Sequence, residues 1–437
     1  ITLEVLNQSN FWIAAVIILI IGTVGSGAYT AFVLSSFNPS KVLKGVFSKS
    51  SKGVFVRKSL VVVQFSISLM LIAATLILFQ QWKFMEDKDL GMNASQLLVI
   101  RGAEVNRDNT FRDRSAAFEG ELTQAAFVQE LSRSGGVPGD GFNFSTSGIT
   151  RLNPTPGDEK VNYNIIMIDD RYIGTYGISL AAGENFTREM CDKTWNEMEY
   201  LILNEEAAAA MGFASSEDAV GQKVKWDKRE FIVRGIMKNY HHLSVQYAIE
   251  PIVFLPSRNG NFYTLKLSGA DMSAQLATLE QFYKKSFPGN PFEFQFLDQT
   301  FAAKYTAERQ YSIIFTIASC MAIFIGCLGL FGLAAYSVEQ RAKEIGIRKV
   351  LGSSVYQIVN LFSRDFLTLI GIAFVIAVPV TWWFMNQWLQ GFAYRITIGW
   401  WIFAVSGAFT LVIAWVTVGT QAFKGAVSNP VNSLRSE

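Results

Sequence analysis

Charged residues are scarce in this chain. They make up 17% of its 437 residues, whereas a soluble globular protein usually carries about 25%. Hydrophobic residues account for 50% of the sequence and aromatic residues for 14%, and the mean hydropathy is +0.25. This balance argues against a soluble globular protein and indicates a membrane protein.

Cysteine and histidine are also rare. Cys320 and Cys327 lie in an apolar run and Cys191 is alone in an acidic region, so that region must be held by its core rather than by a disulfide. The two histidines, His241 and His242, are adjacent and make a poor chelate, because a structural zinc site needs four ligands. We expect no metal site, and a surface or structural role for both histidines.

The sequence contains no G-x-x-x-x-G-K-[ST] phosphate loop. The acidic pairs Asp169-Asp170 and Glu205-Glu206 are predicted to lie on solvated faces, because adjacent carboxylates do not make a general acid–base pair without a cleft. We therefore expect a non-catalytic chain that binds no cofactor, and any ATP hydrolysis that drives it must occur on another chain.

Long apolar runs are abundant instead. Five segments are free of charge and long enough to cross a bilayer, which takes about 20 apolar residues; they are residues 11–34, 60–82, 311–337, 366–387 and 400–420. None contains an ionisable side chain that would mark a substrate path. The sequence predicts an α-helical membrane bundle of five transmembrane helices.

Charge is divided unevenly along the chain. Residues 83–307 hold 23 Lys/Arg and 30 Asp/Glu, and the remainder holds 15 and 6. The connections 38–59 and 338–364 are basic, which places them and the C-terminus in the cytoplasm by the positive-inside rule. Residues 83–308 are then an α+β extracytoplasmic domain, and the tryptophan-flanked turn 388–399 is also outside.

One internal echo suggests a duplication. Ala31-Phe32, Asn38-Pro39 and Leu43-Lys44 match Ala422-Phe423, Asn429-Pro430 and Leu434-Arg435 at a constant offset of 391. We interpret 1–45 as the last transmembrane helix of a first repeat, with an upstream portion missing. Residues 46–82 are then a basic linker with a transmembrane helix, 83–308 the outer domain, and 309–437 a domain with three transmembrane helices.

Within the outer domain, several elements can be predicted locally. Strands are expected at 161–168, 252–255 and 263–267, and a hairpin at 223–234 around Asp227-Lys228. Helices are expected at 205–211, ended by Gly212, and at 272–285. Residues 106–158 are expected to contain loops.

The most informative segment is the charged stretch 339–352 between two apolar runs. Glu339/Lys343 and Glu344/Arg348 are i,i+4 pairs with the acid first, which favours a helix. Gly352 suits a left-handed C-terminal stop, and Ser354 to Gln357 is typical of a capping box. From the residues alone, a docking helix and an ordinary amphipathic connector are equally supported.

Three groups of motifs resemble the MacB/FtsX family of ABC transporter permeases. The most specific is YSVEQRAKEIGIRKVLGSS at 336–354, which is accompanied by NPVNSLRS at 429–436. Stretches in 167–186, 202–224 and 231–254 resemble that family's periplasmic core domain. The resemblance implies that 339–352 is the helix that couples the membrane domain to an ATPase, through Glu339, Arg341, Lys343, Glu344, Ile345, Gly346, Arg348, Lys349 and Gly352.

The resemblance implies a permease subunit in the bacterial inner membrane. A cytoplasmic ABC ATPase, a dimer that binds ATP and Mg, would move 339–352 and through it the outer domain, to export an unidentified substrate. A periplasmic adaptor or substrate protein and the lipid bilayer are the other expected partners, and nucleic acid is not. The alternative is a membrane-anchored sensor or scaffold that acts on an outer partner without transport.

Overall fold

The computed structural model describes residues 12–13, 16–17, 19–24, 51–269 and 271–427. The predicted span 11–34 therefore lies largely outside the described residues, although those described within it are helical. The first copy of the internal echo, the basic residues 38–50 and the closing motif 429–436 also fall outside them. Those predictions stay predictions.

The chain forms two compact units. One comprises Ile1–Phe79, Glu308–Asn386 and Ile398–Glu437, and the other, the outer unit, comprises Gln80–Ala307 and Gln387–Thr397. In chain order the described elements are α1 (Ser51–Asp87), β1 (Leu97–Arg101), α2 (Phe111–Gln124), β2 (Val128–Ser134), β3 (Phe144–Ser147), β4 (Ile149–Arg151), β5 (Asn162–Ile168), α3 (Tyr172–Thr175), β6 (Leu180–Gly183), α4 (Arg188–Asp192), β7 (Tyr200–Asn204), α5 (Glu205–Ala210), α6 (Ser216–Ala219), β8 (Lys223–Trp226), β9 (Arg229–Met237), β10 (Ile252–Pro256), β11 (Phe262–Leu267), α7 (Met272–Ser286), β12 (Phe294–Phe296), α8 (Leu297–Lys304), α9 (Thr306–Gln340), α10 (Ala342–Val350), α11 (Val355–Leu389) and α12 (Trp400–Val427).

Within the described residues, four helices are long and apolar enough to cross a membrane: Lys58–Asp87, Thr306–Gln340, Val355–Leu389 and Trp400–Lys424. Four of the five predicted spans thus coincide with such helices. The remaining span, 11–34, lies largely outside the described residues. The helices extend beyond the predicted spans because charged residues near their ends, such as Lys58 and Asp87 of α1 and Glu308 and Glu339 of α9, are part of the helix.

The largest apolar cluster described in the membrane bundle joins four helices. Its buried residues come from α1, α9, α11 and α12, and include Phe65, Leu330, Ala373 and Val418. Small residues allow close approach: a Cβ at Gly326 would lie 3.4 Å from the Phe65 ring. Gly332 in the same helix makes no such contact, because no described atom lies within 4 Å of its Cβ position.

The outer unit is built on one mixed sheet. In the described residues its strands follow the order β12-β1-β11-β2-β5-β10-β7-β9-β8-β4, with β3 on β5 and β6 on β9. Alternation along β5 shows how the sheet separates two cores: Tyr163 and Ile165 face one cluster, and Ile166 and Ile168 face the other. Both faces are therefore covered.

Most locally predicted elements of the outer unit are confirmed. Strands β5, β10 and β11 and helices α5 and α7 lie where the pattern placed them. The hairpin of β8 and β9 pairs Trp226 with Arg229, and Gly212 has a φ of +80° after α5. Residues 106–158 contain the predicted loops. They also contain α2, β2, β3 and β4, whose short or weakly amphipathic sequences are stabilised by partners distant in the chain.

The turn between α11 and α12 is folded into the outer unit. The buried Gln81 side chain holds its backbone at two points, because Nε2 donates to the Tyr394 carbonyl and Oε1 accepts from the Ile396 N–H, both at 3.0 Å. The Ala393 N–H donates to the Gln246 carbonyl at 2.9 Å. The turn is thus an ordered part of the outer unit.

Candidate coupling surface

The predicted coupling segment is divided between two helices. Glu339 lies in the last turn of α9, and a separate helix, α10, begins at Ala342. Arg341 stands between them with φ −104° and ψ +18°, outside the helical region. The prediction that 339–352 forms one surface helix is therefore wrong at its start, because the backbone bends at Arg341.

One face of α10 is packed on the membrane helices. Ile345 is 5% exposed and lies in a cluster with Ile358 of α11 and Ala422 of α12. Val338 of α9 packs against the same cluster, and Gly346 is buried beside Ile345. The position of α10 is thus fixed by apolar contacts with α9, α11 and α12.

The opposite face of α10 is exposed and carries apolar and basic side chains together. Ile347 is 52% exposed, Val350 69% and Leu351 79%. Arg348 is exposed and Lys349 half-buried between them. Exposed apolar groups rimmed by charge mark an interaction surface on a protein or at the edge of a bilayer.

Two ion pairs accompany the helix. Glu344 and Arg348 approach to 2.9 Å within α10, which confirms one predicted pair, and Arg341 lies 3.4 Å from Asp365 of α11. All four side chains are about half exposed, so each pair contributes no more than about 1 kcal/mol. The side chain of Lys343 falls outside the described residues, so its pairing with Glu339 stays a prediction.

The end of α10 is fixed by local hydrogen bonds. Gly352 has a φ of +90°, as the predicted left-handed stop requires, and the Ser353 N–H donates to the Arg348 carbonyl at 2.9 Å. The predicted capping box is confirmed: the Ser354 N–H donates to Gln357 Oε1, and the Gln357 N–H donates to Ser354 Oγ. The connection to α11 is therefore short and structured.

The two histidines are buried in the outer unit, so a surface role for them is excluded. His242 Nδ1 lies 3.0 Å from the Tyr240 hydroxyl and its Nε2 lies 2.6 Å from the Gly141 carbonyl, to which it donates. Burial lowers the pKa of His242 to about 4. The ring is neutral at pH 7 and holds the Gly141 loop against the domain. His241 packs edge-on against Tyr394, with ring centroids 5.0 Å apart.

The prediction of solvated acidic pairs is wrong for Asp169. Its carboxylate is 6% exposed and accepts hydrogen bonds from the Ser132 hydroxyl at 2.7 Å, the Arg133 N–H at 2.8 Å and the Arg171 N–H at 3.2 Å. Burial nevertheless raises its pKa to about 6. Glu205 is half-buried and accepts from the Asn239 N–H, and no group of three metal-ligating residues occurs in the described part of the chain.

The cysteine of the outer unit is inert. Cys191 is buried, with its Sγ 3.9 Å from the Ile168 carbonyl, and burial raises the pKa of its thiol to about 12. Because only the thiolate reacts, this side chain serves packing.

Comparison with known proteins identifies the membrane part. Residues 316–430, which contain α10, match the FtsX-like permease C-terminal family. Over 342 residues the chain is 24% identical to the macrolide export ATP-binding/permease protein MacB of Sodalis glossinidius, a match that covers 75% of this chain and 51% of that protein. The chain is similar to the MacB/FtsX-like family of ABC transporter permeases.

The chain also resembles two other proteins. It is 21% identical over 265 residues to an uncharacterized ABC transporter permease of Methanocaldococcus jannaschii, covering 55% of this chain and 65% of that one. The solved periplasmic region of MacB from Actinobacillus actinomycetemcomitans aligns with 50% of this chain and 94% of its own, at 17% identity and a TM-score of 0.34. The chain spans about half the length of the MacB relative from Sodalis.

Proposed function

We propose that this chain is the permease subunit of an ABC-type transporter, and that α10 docks on a separate cytoplasmic ATPase. The observation that carries the proposal is the two-sided character of α10. Ile345 anchors one face on α11 and α12, and the other face presents Ile347, Val350 and Arg348 to solvent. A helix that only covered the bundle would not need such an exposed apolar face.

The contacts of α10 give it a way to pass on displacement. The Ser354–Gln357 box joins it rigidly to α11, and Ile345 contacts Ile358 one turn further along α11. At its other end α10 follows α9, which begins two residues after α8. Leu297 and Phe301 of α8 are buried in a core of the outer unit. A movement of α9 would therefore be transmitted through α8 to that core.

In this proposal ATP and Mg bind to the partner, and hydrolysis occurs there. The basic connections and α10 lie in the cytoplasm with the C-terminus, in a bacterial inner membrane, and residues 83–308 lie outside. The outer unit acts on an exported substrate or on an adaptor protein. Two copies of the ATPase would serve as the docking partner of the assembled transporter.

The experiment is charge reversal on the exposed face of α10. The double variant Arg348→Glu/Lys349→Glu, co-expressed with a cytoplasmic ABC ATPase that co-purifies with the wild-type chain, should lose co-purification and lower permease-stimulated ATP hydrolysis at least tenfold. Thermal unfolding should change little, because Arg348 is exposed and surface substitutions usually alter stability by less than about 0.5 kcal/mol.

A matched control reverses two exposed lysines elsewhere. Lys225→Glu/Lys228→Glu changes charge equally on the β8–β9 hairpin of the outer unit, and it should leave assembly and stimulation intact. If the α10 variant retained both, or if the hairpin variant lost both equally, the proposed docking surface would be wrong.

A further inference from the structure

The sheet of the outer unit is weakly joined between β2 and β5. These two strands pair only at Ser134 and Ile168, whereas every other junction in the described sheet order pairs at least two residues. The junction divides the outer unit into two lobes. The first lobe consists of β1, α2, β2, β11, α7 and β12, and the second lobe consists of β3 to β10 with α3 to α6.

Each lobe has an apolar core of its own. In the first lobe, one cluster includes Phe118 of α2 and Tyr283 of α7. In the second lobe, a separate cluster includes Phe231 of β9. A third cluster joins the lobes, since it contains both Leu97 of β1 and Phe254 of β10. Lobes that keep their own cores can move as rigid bodies about the strands that join them.

An ion-pair network crosses this junction. Arg258 follows β10, and its N–H donates to the Cys191 carbonyl at 3.2 Å, so its backbone belongs to the second lobe. Its guanidinium donates to Asp192 Oδ1 of the same lobe at 3.2 Å and to Glu119 Oε2 of the first lobe at 2.9 Å. The other oxygen of Glu119 accepts from Arg133 Nη1 of β2 at 3.1 Å. Glu119 therefore binds one guanidinium from each lobe.

The carboxylate at the centre of this network is shielded from solvent. The side chain of Glu119 is 17% exposed, and that of Arg258 is 28% exposed. Charge-assisted hydrogen bonds in such places are stronger than the ion pairs of a fully solvated surface. A second carboxylate on α2 offers a contrast, because Glu121 is 24% exposed and pairs with Lys285 of α7 within the first lobe. Of these two pairs, the one at Glu119 joins the lobes.

The two faces of the sheet are joined by different contacts at this junction. Tyr263 and Thr264 are neighbours in β11, so their side chains point to opposite faces. On one face the Arg133 guanidinium lies 4.9 Å from the centre of the Tyr263 ring and binds Glu119. On the other face the Tyr176 hydroxyl of α3 lies 2.7 Å from the Thr264 hydroxyl. Loss of the Glu119 contacts would release one face while the other stayed joined, which is the geometry of a hinge.

Helix α8 lies where its movement would bend this hinge. It continues directly from β12 of the first lobe. A Cβ at Gly139 would lie 3.5 Å from the ring of Phe301 in α8. The Gly139 N–H in turn donates to the carbonyl of His242, in the second lobe, at 2.7 Å. A displacement of α8 would therefore move one lobe against the other.

We propose that the outer unit bends at the junction of β2 and β5, and that the Glu119–Arg258 pair is a latch that holds the two lobes closed. Bending separates Glu119 from Arg258 and keeps the Tyr176–Thr264 bond on the opposite face. The hinge and its latch belong to the outer unit itself. Only the release of the latch by α8 rests on the proposed function.

The test measures the separation of the lobes in the full chain, in nanodiscs and without an ATPase. Spin labels are attached at Gln129→Cys in the first lobe and Lys225→Cys in the second, both exposed positions, after the two cysteines of α9 have been replaced by alanine. Double electron–electron resonance should show one main distance in the wild type. Glu119→Gln should add a second distance population. Glu121→Gln is the matched control: it makes the same change two residues further along α2, and it should keep the wild-type distribution.

Further variants examine whether the pair acts as a latch. Arg258→Gln should produce the same second population as Glu119→Gln, and the double variant should not enlarge it further, because the two residues form one contact. Asp192→Asn removes only a bond within the second lobe and should leave the distances unchanged.

Hydrogen–deuterium exchange separates bending from unfolding of the first lobe. Exchange in α2 and β11 should stay within twofold of the wild type in Glu119→Gln. A single unchanged distance in Glu119→Gln, the same second population in Glu121→Gln, or exchange accelerated tenfold throughout the first lobe would overturn the proposal. Because no ATPase is present, these outcomes are independent of whether α10 docks on one.

Discussion

Replacing Gln81 by leucine should release the turn Gln387–Thr397 from the outer unit. The substitution removes the two hydrogen bonds to Tyr394 and Ile396 and keeps a similar volume. Each bond contributes about 1 kcal/mol, so opening of the turn should become easier by about 2 kcal/mol. Because 1.4 kcal/mol corresponds to a factor of ten, amide exchange in the turn should accelerate roughly 30-fold.

The assay is hydrogen–deuterium exchange of the intact chain in nanodiscs, followed on peptides that cover 387–397. Ala393 remains bonded to Gln246, so the release should be local and exchange in β5 and β10 should not change. Gln80→Leu is the control: it makes the same chemical change one residue earlier, where the side chain is only half-buried. Unchanged exchange in Gln81→Leu, or equal acceleration in both variants, would refute the reasoning.

Three further predictions concern the outer unit in chemical denaturation. The pKa of His242 is about 4 in the folded protein and near 6.5 in the unfolded chain. The unfolding free energy should therefore fall by about 3 kcal/mol between pH 7 and pH 4 through this group, and His242→Gln should lack that loss. The pKa of Asp169 is raised to about 6 in the fold, so its effect on stability has the opposite sign. From pH 7 to pH 4 the unfolding free energy of the wild type should rise by up to about 3 kcal/mol relative to that of Asp169→Asn, and a difference that does not change with pH would contradict this. Gly183→Ala should lower the unfolding free energy by at least about 2 kcal/mol, because φ is +76° and the new Cβ would lie 2.5 Å from the Arg234 carbonyl oxygen. Gly221→Ala is the control and should lower it less, because Gly221 has a similar φ of +81° but no atom within 4 Å of its Cβ position.

The predictable parts of the outer unit are those whose signal is local. The strand β5 can be recognised from the alternation of its own residues, and the hairpin of β8 and β9 from the Asp227-Lys228 turn between them. The strand β3 cannot, because its sequence FSTS is mostly exposed and depends on pairing with β5, whose partner residues lie 15 to 21 positions away. Helix α2 buries only Ser115, Phe118 and Leu122, too narrow a stripe for a clear helical period.

The same distinction applies to the coupling surface. The Glu344–Arg348 pair, the Gly352 stop and the Ser354–Gln357 box follow from short-range rules and were predictable. The bend at Arg341 and the burial of Ile345 were not, because Ile345 packs against Ala422, which is far away in the sequence. The burial of Asp169 and His242 likewise depends on Ser132 and Gly141, which only the folded sheet brings near.

The unreactive thiol of Cys191 has a practical consequence for spectroscopy. The chain has three cysteines, and the other two, Cys320 and Cys327, lie in α9 and can be replaced by serine or alanine without touching the outer unit. A cysteine introduced at an exposed site such as Gln129 would then be the one residue in that unit to accept a maleimide probe at neutral pH. Fluorescent or spin labels can thus report on the β2 strand of the outer unit while the native core residue stays in place.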